Sequence, residues 1–101
     1  MGGVSIIAKR LKEARKRAGL SQRQLGIEAG INISGASSRI NQYERAVHNP
    51  DPSILKGLAT VLKAPLPYFY CEDAELADLI LKFSVLEVAQ RKRLIDFMDG
   101  L

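Results

Sequence analysis

One cysteine (Cys71) and one histidine (His48) stand in these 101 residues. A lone cysteine forms no intrachain disulfide, and a reducing, cytoplasmic setting of bacterial or phage type is the simplest expectation. Cys71 and His48 fall in different elements, so no Cys/His set has zinc spacing. No Gly-rich phosphate loop is present. The acidic pairs Glu72-Asp73 and Asp73-Glu75 sit at a helix start, where offsetting the dipole is a better reading than acid–base work. These lacks argue against an enzyme and against a cofactor or metal. No apolar run approaches the roughly 20 residues of a membrane span. The opening MGGVSIIAKRL has no basic region ahead of its short apolar run, which speaks against a signal peptide. Strand alternation, repeats and low-complexity tracts are also missing.

Aromatics are few, at 6%. Three of them form Tyr68-Phe69-Tyr70. They could stack on single-stranded bases, but a chain of this size needs its aromatics as core. The cluster is therefore expected as a single turn on the core floor.

What is present is charge, unevenly placed. Residues 1–50 hold nine Lys/Arg against three acids, and residues 51–101 hold six against eight. A basic half suggests a polyanion partner, nucleic acid being the commonest; a solvated basic helix face would look the same.

Apolar periodicity predicts helices throughout. Ile7, Leu11, Ala14 and Ala18 stripe a first segment over about 5–18, stopped by Gly19. Ser21 caps a second over about 22–29, with Leu25 and Ala29 inward and Gly30 at its end. Small Gly26 and Ala29 allow close helix approach. A third segment is placed at about 33–43, with Ile33, Ala36, Ile40 and Tyr43 inward. Its outer face carries Ser34, Ser37, Ser38, Asn41 and Gln42. A solvated face usually carries Glu and Lys, which are stronger helix formers, so this face trades local stability for something else. Asp51 and Pro52 open a fourth segment with Leu55, Leu58, Ala59 and Leu62. A fifth covers about 74–82 with Leu76, Leu79, Ile80 and Phe83. A sixth is predicted to start at a Ser84/Glu87 capping box and run to Met98, with Leu86, Leu94, Phe97 and Met98 on its apolar side.

From Arg15 and Gly19-Leu20 through Ser21-Gln22, Leu25, Ala29-Gly30, Ile40, Tyr43-Glu44-Arg45 and Asn49-Pro50 to Leu58-Ala59, Pro65 and Phe69, the chain resembles the lambda-repressor-like (Cro/C1-type, Xre-like) helix-turn-helix family. The resemblance covers residues 5 to about 70, with the motif at about 21–44. It implies an all-α fold: a compact five-helix DNA-binding domain over 1–70 and a C-terminal helical extension over 71–101. In that family the second helix of the motif lies in the major groove and the first crosses the backbone. Base-reading positions fall on Ser37, Ser38 and Gln42, with Asn41 and Arg39 as secondary candidates. Gln22 matches a phosphate-contacting amide. Arg23, Arg45, His48 and Asn49 are further candidates for the DNA backbone. Arg15 and Glu44 match an internal ion pair. The chain departs from the pattern in three ways. The stretch between Ala29 and Glu44 is longer by about one helical turn. Ala46 stands where a left-handed Gly is usual, at a cost of about 1 kcal/mol. Gly26 replaces a common Ala.

The expected function is a sequence-specific transcriptional regulator of double-stranded DNA. The length leaves no room for a separate ligand-binding domain, which points to a repressor. Adequate affinity calls for a homodimer over half-sites about 34 Å apart. Residues 74–98 either form that dimer surface or cover the domain's own core. The alternative is an antitoxin-like interaction module whose C-terminal helices hold a partner protein.

Overall fold

A computed structural model describes residues 5–101; the reading of the first four residues lies outside them. The order is α1 (Ile6–Arg17), α2 (Gln22–Glu28), α3 (Ala36–Glu44), α4 (Pro52–Leu62), a 3-10 turn (Leu66–Tyr70), α5 (Ala74–Ser84) and α6 (Val88–Asp99). The fold is all-α, with no strand among the described residues. No helix is long and apolar enough to cross a membrane.

Caps set the helix starts. Ser5, Ser21, Asp51 and Asp73 each accept an N–H from the first turn, satisfying donors that have no intrahelical partner. Four helices close with the same reversal. After α1, α2, α3 and α4, a residue of positive φ (Gly19, Gly30, Ala46 and Lys63) lets the chain turn back and bond the last carbonyls.

The core lies where α1 to α4 and the 3-10 turn converge. Leu11, Leu25, Ile40, Leu55, Leu58 and Phe69 are fully buried at its centre. The α4 stripe is as expected from its periodicity. Tyr68 and Phe69 meet edge to face with centroids 5.1 Å apart, which supports the packing reading; Tyr70, however, points to solvent. Burial and the Glu13 carboxylate push the Tyr68 phenol above its ordinary value.

Several inward assignments fail. Ala18 is exposed at the end of α1. The third helix starts at Ala36, not Ile33, and Ile33 is 59% exposed. The preceding residues form a turn instead: Asn32 Oδ1 accepts from the N–H and hydroxyl of Ser34 at 3.0 and 2.8 Å. That local bond competes with helix. The capping box of the last helix lies three residues later than expected. Ser84 closes α5, and the Glu87 N–H donates to Gln90 Oε1 at 2.9 Å.

Arg10, one of the nine basic residues of the first half, is 2% exposed. Its Nε donates to the Cys71 carbonyl at 2.9 Å and its Nη2 to that of Glu72 at 3.2 Å. Nη1 pairs with Glu13 at 3.0 Å. One guanidinium thus ties α1 to the strand of chain that leads into α5. Beyond it, Ala77 joins the core, with Ile80 and Leu81 packed against it. Leu76 and Leu79 remain exposed, as do Phe97 and Met98, and no residue of α6 is buried.

Candidate nucleic-acid interface

The site is built on the α2–turn–α3 unit. Ser21 opens α2 with a reciprocal capping box: Ser21 Oγ accepts from the Gln24 N–H at 3.0 Å, and the Ser21 N–H donates to Gln24 Oε1 at 2.8 Å. The two helices then approach at Gly26. A Cβ there would lie 2.8 Å from Ala36 Cβ and 2.9 Å from the Ala36 carbonyl oxygen. Only glycine lets the first residue of α3 sit so close to α2.

The far end of α3 is fixed by charge. Arg15 of α1 forms a two-pronged pair with Glu44, Nη2 to Oε1 at 3.0 Å and Nε to Oε2. Arg15 Nη1 also donates to the Leu20 carbonyl at 3.0 Å. The side chains of Arg15 and Glu44 are 12% and 3% exposed, so the pair lies largely out of water. It carries one addition: Gln22 Nε2 donates to Glu44 Oε1 at 3.1 Å. Gln22, expected to donate to phosphate, spends one N–H internally and keeps the other.

With both ends held, α3 is turned one way. Ala36, Ile40 and Tyr43 are buried, while Ser37, Ser38 and Arg39 are exposed and Asn41 and Gln42 half-buried. Gly35 supplies no side-chain cap, which leaves donors of the first turn open to an outside acceptor. Past the helix, Ala46 adopts φ 59°, the left-handed geometry anticipated for that position. Its N–H reaches the Tyr43 carbonyl and that of Val47 reaches Gln42. The reversal carries His48 and Asn49 back beside α3, where they line a recess of ≈ 420 Å³ with Arg39 and Gln42. Asp51 borders it too, but its Oδ1 already accepts the Ile54 N–H at 2.8 Å. Arg23 on the first turn of α2 and Arg45 after α3 are exposed. Ser37, Ser38 and Arg39 are exposed and so are not covered by α5 or α6.

Comparison with known proteins adds to this geometry. A family model described as a helix-turn-helix domain matches residues 6–67. The chain is 26% identical to the HTH-type transcriptional regulator ImmR of Bacillus subtilis (strain 168), over 93% of this chain and 76% of that one. It is 48% identical to a solved structure, that of the transcriptional regulator BswR, with a TM-score of 0.89 over 93% of each chain.

Proposed function

This chain belongs to the helix-turn-helix domain family, as an Xre-like transcriptional regulator, and from that footing we propose that it is a sequence-specific repressor that lays α3 in the major groove of duplex DNA. The observation that carries the reading is the split character of α3. Its apolar stripe is locked into the core, and its Ser37, Ser38 and Arg39 side chains stand free on the opposite side.

Sequence is read by Gln42 and Asn41, whose carboxamides can pair two edge atoms of adenine, and by the permissive hydroxyls of Ser37 and Ser38. Arg39 takes guanine if it reaches a base. Affinity comes from phosphate contacts by Gln22, Arg23, Arg45, His48 and Asn49, and from free N–H groups at the helix starts. Two copies act together through α5 and α6, because one such unit spans only a few base pairs. The cytoplasm is the compartment where such a protein meets DNA. An apolar groove of ≈ 460 Å³ between α5 and α6, lined by Leu76, Leu79, Phe83, Leu94 and Met98, also suits the second reading, in which a different protein occupies it; sedimentation of the pure chain separates the two.

Two substitutions test the assignment on a site selected from random DNA. Gln42→Ala relaxes base preference at one position, by about 1–3 kcal/mol. Arg23→Ala weakens all sequences alike and reduces the salt slope by about one. An equal, sequence-independent loss in both variants would defeat the division of roles.

A further inference from the structure

The polar reading face leaves one neighbour unexplained. Ile33 is 59% exposed, in a stretch whose other outward side chains are Asn32, Ser34, Ser37 and Ser38. Scattered aliphatic side chains on a surface need no account. Ile33 differs by its place: it stands three residues before Ala36, the N-terminus of α3, the end of a reading helix that meets base edges first.

The turn that carries it is held. Ser34 donates twice to Asn32 Oδ1, and the Gly35 N–H donates to the Asn32 carbonyl at 2.9 Å. Ala36 is pressed against Gly26, and the Ile31 N–H donates to the Gly26 carbonyl at 2.9 Å, so the turn is tied to α2 at both ends. Asn32 Oδ1 is engaged with the Ser34 N–H and hydroxyl. The apolar group that the turn offers to an incoming ligand is the Ile33 side chain, on a firm backbone.

Among the groups that line a major groove, the C5 methyl of thymine is the one an aliphatic side chain matches. We propose that Ile33 packs against a thymine methyl at the edge of each half-site and is a specificity residue alongside the hydrogen-bonding side chains of α3. The inference rests on the DNA reading above and deepens it.

Uracil in place of thymine removes the methyl and nothing else. With the full chain on its selected duplex, thymine-to-uracil replacement at that position in a single half-site weakens binding about three- to fivefold, the worth of one buried methyl group. Ile33→Ala, checked for unchanged helicity by circular dichroism, binds the two duplexes equally at that position and keeps its preferences elsewhere. Ile33→Val retains part of the discrimination. If Ile33→Ala still tells thymine from uracil there, or loses affinity equally at every position, Ile33 touches no methyl and the inference is overturned while the DNA reading stands. A chain that selects no duplex overturns both.

Discussion

At the scale of single residues, two backbone and side-chain choices carry measurable costs. Ala46 holds φ 59°, a conformation that costs a residue with a Cβ roughly 1 kcal/mol relative to glycine. Glycine there also enlarges the unfolded ensemble, which returns part of the gain. Ala46→Gly is expected to raise stability by a net few tenths to about 1 kcal/mol, read as a higher urea midpoint at unchanged slope. Tyr68 gives a pH signature. Its folded pKa lies above the unfolded value of about 10, so its contribution is intact below pH 10. As pH rises from about 10 through the folded value, the unfolded chain releases its proton first and stability falls. Tyr68→Phe should lose stability less steeply over that alkaline window than the parent chain, in denaturation midpoints measured at each pH.

At the scale of elements, α2 and α3 are set by one contact. Gly26→Ala would gain helix propensity, worth about 1 kcal/mol. It would also drive a methyl into Ala36 Cβ, Cα and carbonyl oxygen at 2.8–3.0 Å. Backbone cannot rotate aside as a long side chain can, so α2 and α3 must part. A net loss of about 1–3 kcal/mol is expected, with a matching drop in melting temperature; a rise would mean the helices separate freely. The sequence shows most of these elements because periodicity and caps are local: the α4 stripe, Ser21, Asp51 and the Gly19 and Gly30 stops are all legible. It misplaces the start of α3 because Ile33 fits a helical stripe equally well. The Asn32–Ser34 bond that takes it out of register is weak in any sequence pattern. It also hides Arg10, since burial of a guanidinium depends on carbonyls 61 and 62 residues away. Of the candidate site, the exposed side chains on α3 could be read from spacing. The tie from Gln22 to Glu44 could not, because only folding brings the two ends together.

At the scale of the molecule, the chain is longer than it is compact. Its radius of gyration is 15.2 Å and its longest extent 52 Å, against about 13 Å in radius for a compact chain of this length. The last helix has no buried residue. Among the described residues, eight of the thirteen large exposed apolar side chains fall after residue 75, and a helix of 12 residues is marginal in water without tertiary packing. Arg91 gives α6 a small foothold on α5, with its guanidinium 4.8 Å from the Phe83 ring centroid and a bond to the Ser84 carbonyl at 3.0 Å. A second copy would supply the rest. Phe97, 68% exposed, is the group to change: Phe97→Glu should sediment as a monomer where the parent chain sediments as a dimer, and should remove the dependence of melting temperature on concentration. If the parent chain is monomeric at high concentration, the groove belongs to another protein. In a dimer, the Arg10 anchor would acquire a meaning beyond packing. It would hold the segment at Cys71 and Glu72, through which any pairing of tails must be transmitted to the helix-turn-helix units. The span between those units, and so the operator length the pair can measure, would be gauged by a guanidinium that touches neither the nucleic acid nor the other subunit.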